Sequence, residues 1–156
     1  IAKAEKKGSR ETKEGIVYSY IHSGGRLGVL VELNCETEFV ANTDGFKELA
    51  HNIAMQVAAT NPVSLDRDSI DKAIILREKD IFLEQAKKEG KPEAIIKKMV
   101  EGRINKFYQE SCLMEQTYIK DPDKKVTDLL TETVSTLGEN ITVKRFVRFS
   151  IGESSN

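Results

Sequence analysis

Asn34-Cys35-Glu36-Thr37-Glu38-Phe39-Val40-Ala41-Asn42 lies where the hydrophobic period of the chain changes. Ahead of it, apolar residues alternate as far as Leu33; beyond it, from Thr43, they return at i, i+3 and i+4. A period of two giving way to one of 3.6 reads as strand, loop, helix. The loop carries one aromatic ring, Phe39, with the Glu38 carboxylate directly before it. Two readings are open. A ring beside a carboxylate, displayed at an element junction, makes a wedge for another protein. Alternatively, Phe39 folds back as a core plug and Glu38 caps the next helix. Residue types alone favour the plug, because apolar side chains are more often core than contact.

Working outward, residues 15–35 read as a hairpin. Ile16, Tyr18 and Tyr20 alternate with Val17, Ser19 and Ile21, and Leu27, Val29, Val31 and Leu33 alternate after Ser23-Gly24-Gly25-Arg26. Gly24-Gly25 suits a tight turn with positive φ, and Gly28 predicts a bulge or a close backbone approach. Downstream, residues 43–60 form the clearest helix, with Phe46, Leu49, Ala50, Ile53, Ala54 and Val57 on one face. Thr43 or Asp44 caps it, and Asn61-Pro62 stops it. A second helix spans 68–89 through Ile70, Ala73, Ile74, Arg77, Ile81 and Leu83, ending at Gly90. A third starts at Pro92 and runs to about residue 110 through Ile95, Ile96, Met99, Val100, Ile104 and Phe107, so the two form a helical hairpin. Lys120-Asp121-Pro122-Asp123 reads as a turn. Residues 126–137 form a last helix, ended by Gly138, and 141–151 a last strand with apolar residues in both registers.

Composition narrows the function. The 156 residues are 39% hydrophobic and 31% charged, with net charge -1, which gives no general field for nucleic acid. No apolar run is long enough to span a bilayer. Cys35 and Cys112 are too few for a disulfide scaffold and lack metal-ligand spacing.

The loop has a fainter echo. Cys35-Glu36-Thr37-Glu38-Phe39-Val40 is answered by Met114-Glu115-Gln116-Thr117-Tyr118-Ile119, and an amphipathic helix follows each. This predicts an α+β protein of two similar subdomains, each a small antiparallel sheet packed on helices, joined by the helical hairpin. The expected divisions are a linker at 1–14, an N-terminal core subdomain at 15–66, the hairpin at 67–110, a C-terminal core subdomain at 111–152 and a tail at 153–156.

The run from Gly28 to Asn42, followed by Phe46-Lys47-Glu48-Leu49-Ala50-His51-Asn52-Ile53-Ala54-Met55-Gln56, resembles bacterial and organellar elongation factor Ts. So do Glu101-Gly102-Arg103, Cys112-Leu113-Met114-Glu115-Gln116, Ile119-Lys120-Asp121, Gly138-Glu139-Asn140-Ile141 and Val143-Lys144-Arg145-Phe146-Val147-Arg148-Phe149. The resemblance covers nearly the whole chain and is to the short form. It implies a core without the family's small N-terminal helical domain. It also implies a guanine nucleotide exchange factor that meets elongation factor Tu in its GDP-bound and nucleotide-free states, in a bacterial cytoplasm or an organelle matrix or stroma. The family's Thr-Asp-Phe-Val loop, which enters the GTPase near its magnesium and phosphate site, falls on Thr37, Glu38, Phe39 and Val40. Glu38 replaces the usual Asp and sets its carboxylate one methylene further out. Tyr118 would be a second partner contact. The resemblance further implies no covalent chemistry, no cofactor or metal of its own, no membrane or nucleic-acid partner, and a homodimer or a two-to-two complex.

Two rival readings need other residues. An enzyme would use Cys35 with His51 or His22, and Glu38, since a cysteine nucleophile needs a base. A nucleic-acid-binding or structural module of the translation machinery would use Lys144, Arg145 and Arg148 on the last strand to touch phosphates.

Overall fold

A computed structural model describes residues 8–153. Residues 1–7 of the expected linker and 154–156 of the expected tail lie outside the described residues. The chain divides into two compact units, one drawn from Ile1–Asn61 and Thr117–Asn156, the other from Pro62–Gln116.

In the first unit, β1 (Glu14–Ile21) and β2 (Leu27–Cys35) form the expected hairpin, paired from Glu14↔Cys35 to Ile21↔Gly28. Gly24 and Gly25 turn it with φ of 92° and 71°, values that cost a glycine little. Gly28 marks a close approach: a Cβ there would meet the Ile21 Cδ1 at 2.9 Å. Val29, Val31, Leu33 and Cys35 point inward, so the period-two reading of β2 holds residue by residue.

β2 is followed by a single helical turn, α1 (Glu38–Ala41), and then by α2 (Asp44–Thr60). The Thr43 side chain caps α2 by accepting from the Phe46 N–H at 3.2 Å. Phe46, Leu49, Ala50, Ile53, Ala54 and Val57 are all buried against β1 and β2. Asn61 ends α2 in the left-handed conformation, φ 47°.

Gln56 is fully buried within this apolar stripe. Its amide donates to the Thr117 carbonyl at 3.0 Å and accepts from the Ile119 N–H at 2.9 Å. That bond pair ties α2 to β3 (Thr117–Tyr118), which pairs with β4 (Asp121–Lys125). The expected turn at 120–123 is therefore mostly strand. Tyr118 pairs with Asp121, leaving Ile119 and Lys120 as the connection. Pro122 is tolerated because the register of this short ladder is irregular and asks for no N–H there. The echo of the loop does not repeat its local structure: Leu113–Glu115 is a 3₁₀ turn and Thr117–Tyr118 a strand, whereas Glu38–Ala41 is helical.

After α5 (Val126–Leu137), the strand β5 (Thr142–Ser150) lies antiparallel beside β2, giving the order β1-β2-β5. The last strand thus completes the sheet that the first hairpin begins. A bulge between Glu32 and Leu33 explains the apolar residues in both registers of β5. Val143 pairs with Leu33 and Arg145 with Glu32, so the inward face shifts by one residue. Val143 is buried before the shift; Phe146 and Arg148 turn inward after it, and Val147 and Phe149 turn out.

In the second unit, α3 (Lys72–Lys88) and α4 (Glu93–Ser111) pack as the expected hairpin. The buried stripe of α3 differs in phase from the sequence reading. Ile75 and Ala86 are buried while Ala73 and Ile81 are exposed. Its apolar residues include the consecutive triplet Ala73-Ile74-Ile75, so periodicity alone fixes no unique face. Ile70, Ile75 and Cys112 form a small core with Ile74, Phe107 and Tyr108 around it. The α+β class stands: small antiparallel sheets packed on helices.

Candidate functional site

The loop is built from its two ends. At the β2 end, the Cys35 side chain is fully buried and its thiol donates to the Thr37 carbonyl at 3.2 Å. Thr37 takes an extended conformation, and its hydroxyl accepts from the Val40 N–H at 3.3 Å, so it is the N-cap of α1. Asn42 closes the turn through its N–H to the Glu38 carbonyl, and the Thr43 hydroxyl donates to the Val40 carbonyl at 2.7 Å. A helical turn this short has no stability of its own. It persists because Val40 and Ala41 are buried beneath it.

On that turn Phe39 is 81% exposed while Val40 is 5% exposed. The core-plug reading of Phe39 is therefore overturned. Successive helical residues lie about 100° apart, so with Val40 and Ala41 taken inward, Phe39 is left facing water. Glu38 occupies the first helical position and is exposed, and its carboxylate has no hydrogen-bond or ion-pair partner among the described residues. Thr37 is exposed as well, although its hydroxyl is engaged.

The turn between α5 and β5 reaches back to this loop. Glu139 Oε1 accepts from the Glu36 N–H at 3.1 Å and the Thr37 N–H at 3.0 Å, and Oε2 accepts from the Thr37 hydroxyl at 2.6 Å. In return, the Asn140 N–H donates to Glu36 Oε2 at 2.6 Å. The buried Asn140 side chain also donates to the Arg10 carbonyl at 2.7 Å. Sequence reasoning assigned no role to Glu139 or Asn140. They stand in one of the stretches that resemble a known family, but their partners lie about a hundred residues away, beyond the reach of any periodicity.

The other expected site residues lie elsewhere. Tyr118 is buried in the β3–β4 hairpin, and that burial lifts the phenol above its ordinary value. The adjacent Ile119 is exposed. Of the basic trio on β5, Arg148 points inward, donating to the Ala58 carbonyl at 3.2 Å and pairing with Glu153 at 2.8 Å. Arg145 points outward and pairs with Glu32 at 2.8 Å, so the trio is split across two faces. Cys35 is closed to solvent, and burial first, then the Glu139 charge, pushes its thiol up. His51 Nδ1 is hydrogen bonded to the Tyr18 hydroxyl at 2.7 Å and His22 Nδ1 to the Tyr20 hydroxyl at 2.8 Å. Among the described residues, no group of three or more His, Cys, Asp or Glu is placed to hold a metal ion, and no helix is long and apolar enough to cross a membrane.

A second apolar surface covers the outer face of the β1-β2-β5 sheet. Cross-strand rows set Val17 beside Glu32 and Arg145, Ser19 beside Leu30 and Val147, and Ile21 beside Gly28 and Phe149. Phe149 is 70% and Ile21 65% exposed. The Asn34 side chain, and then Arg145, hold the Glu32 carboxyl below its ordinary value.

The family model described as Elongation factor TS matches residues 3–153. Elongation factor Ts of Syntrophomonas wolfei subsp. wolfei is 57% identical over 153 residues, covering 98% of this chain and 72% of that protein. The protein of that name from Thermoanaerobacter sp. is 56% identical over 98% of this chain and 75% of its own length. That from Oleidesulfovibrio alaskensis is 55% identical over 97% of this chain and 77% of its own. With the family model spanning almost every residue and more than half of the aligned positions identical, the chain belongs to the elongation factor Ts family.

Proposed function

We propose that the protein is a guanine nucleotide exchange factor that binds elongation factor Tu and promotes GDP release during translation elongation. The carrying observation is the exposed Phe39 ring on a turn that Val40 anchors in the core. An aromatic side chain held out on a fixed backbone has little entropy left to lose on entering a partner.

An exchange factor acts by linkage: it binds the nucleotide-free partner more tightly than the GDP-bound one, and weakens nucleotide binding by the same factor. Release accelerated on the order of 10⁴-fold requires roughly 5–6 kcal/mol of coupling, at about 1.4 kcal/mol per decade. Burying one Phe contributes about 2 kcal/mol, so the ring cannot act alone. In this reading Phe39 parts two elements of the GTPase near its phosphate site and dislodges the ligands of the partner's Mg²⁺. The Glu38 carboxylate adds a polar contact beside it. Thr37 and Val40 hold the turn, and the β3–β4 hairpin, with Tyr118 inside and Ile119 outside, touches a second area of the GTPase. No covalent step is involved. The thiol is sealed, and both histidine rings are engaged by tyrosines.

The outer sheet face supports a homodimer, and with it a two-to-two complex. It is apolar and electrically quiet, since Glu32 and Arg145 already neutralise each other. A two-fold dimer would bury this patch against the same patch of a second copy. Phe149→Asp is expected to shift the mass measured by light scattering from dimer to monomer; an unchanged mass would dismiss this surface as the interface.

Gel filtration with elongation factor Tu tests the function. The two proteins are expected to co-elute without nucleotide and to separate on addition of GDP and Mg²⁺. No co-elution, or co-elution indifferent to nucleotide, would defeat the proposal.

A further inference from the structure

We infer that Glu139 is the positioning residue of the Phe39 loop, fixing the direction in which the ring is presented to the GTPase. The inference rests on the exchange reading above.

By itself the loop is weakly held. α1 is four residues long, and its cap bond, Val40 N–H to Thr37 hydroxyl, is 3.3 Å. A hydroxyl that accepts from a helix N–H still has a proton free to swing. Here that proton is donated to Glu139 Oε2 at 2.6 Å, so the cap oxygen cannot rotate away from Val40. The other carboxylate oxygen collects the backbone N–H groups of Glu36 and Thr37, the two residues leading into the turn. Three donors converge on one acceptor-only group, and hydrogen bonds to an ionised carboxylate are about twice as strong as neutral ones.

The carboxylate is itself held in place. Gly138 ends α5 in the left-handed conformation, and β5 begins at Thr142, paired with Asn34 of β2. Between them, the Asn140 N–H donates back to Glu36 at 2.6 Å. Each side of the brace therefore offers both a carboxylate and backbone donors to the other. β2, β5 and the core beneath α1 are secured by their own ladder and packing. Removing the Glu139 carboxylate thus frees residues 36–38 and the ring they direct, not the fold.

The test is stopped-flow release of fluorescent GDP from elongation factor Tu, with the protein, Glu139→Ala, Glu139→Gln, Phe39→Ala and the Phe39→Ala/Glu139→Ala double variant. Glu139→Ala is expected to lower the maximal release rate about tenfold while moving the half-saturating concentration by less than about twofold. Glu139→Gln keeps one carbonyl oxygen for the two N–H groups and should recover part of the loss. It also carries the test if the alanine variant fails to fold. In the Phe39→Ala background, Glu139→Ala should change the maximal rate by less than about twofold, because the two residues act in series.

A change in half-saturation alone would mean fewer folded molecules and would overturn the inference. So would full multiplicative loss in the double variant. Slower release with Phe39→Ala but not with Glu139→Ala would remove the positioning role and leave the exchange reading intact. No effect of Phe39→Ala would remove both.

Discussion

Phe39 and Val40 are neighbours on one helical turn, about 100° apart, and meet different surroundings: the ring stands in solvent while the isopropyl group is packed beneath the loop. One residue is displayed because the next is anchored. If Phe39 acts in exchange as proposed, this division separates stability from activity.

Val40→Ala deletes two buried methyl groups and leaves a small cavity, so it should destabilise the fold by about 2 kcal/mol. Phe39→Ala removes a ring that touches little of its own chain and should leave stability within about 0.5 kcal/mol. Urea denaturation of the two variants checks this, with the midpoint moving for Val40→Ala and staying for Phe39→Ala.

Gln56 offers a second contrast between residue type and role. Gln56→Leu would fit the apolar stripe of α2, yet it removes the amide that pairs with the Thr117 carbonyl and the Ile119 N–H. Losing these two part-buried hydrogen bonds should cost about 2 kcal/mol. Gln56→Glu keeps the acceptor but buries a charge opposite the Thr117 carbonyl. Its stability should improve as pH falls and the carboxyl protonates, the reverse of what a paired carboxylate gives. A urea midpoint measured at two pH values distinguishes these outcomes.

Burial lifts both thiols, Cys35 and Cys112, above their ordinary range. In the unfolded chain they ionise from about pH 8.5, while in the folded protein they keep their protons. Between those two values the folded state binds more protons, so stability is full below the unfolded pKa and is lost as pH rises through the folded one. The decline should be shallower in a Cys35→Ala/Cys112→Ala variant. The same burial predicts that neither thiol reacts with a chromogenic disulfide reagent in the native protein, and that both react in guanidinium.

The parts of the fold set by local chemistry were legible in the sequence. The β1–β2 hairpin follows from strict alternation and a Gly-Gly turn, and α2 from a stripe of six apolar residues behind a Thr cap. The stripe of α3 is not fixed by its sequence, because Ala73, Ile74 and Ile75 are consecutive and offer more than one face. The strand at Asp121–Lys125 was hidden by two aspartates and a proline, residues of turns that here sit on a short irregular ladder. At the site, the Thr37 cap and the exposed ring follow from a chain that must bury Val40 and Ala41. The Glu139 brace could not be read at all. It is made when β5 docks beside β2, and nothing in the spacing of either segment announces that pairing.

Whether the displayed Phe39 ring drives exchange is read from stopped-flow GDP release with saturating Phe39→Ala. The maximal rate should fall at least about tenfold, equivalent to about 1.4 kcal/mol of lost coupling, with the variant folded as stably as its parent. A maximal rate equal to that of the unaltered protein would mean that the ring does not drive exchange.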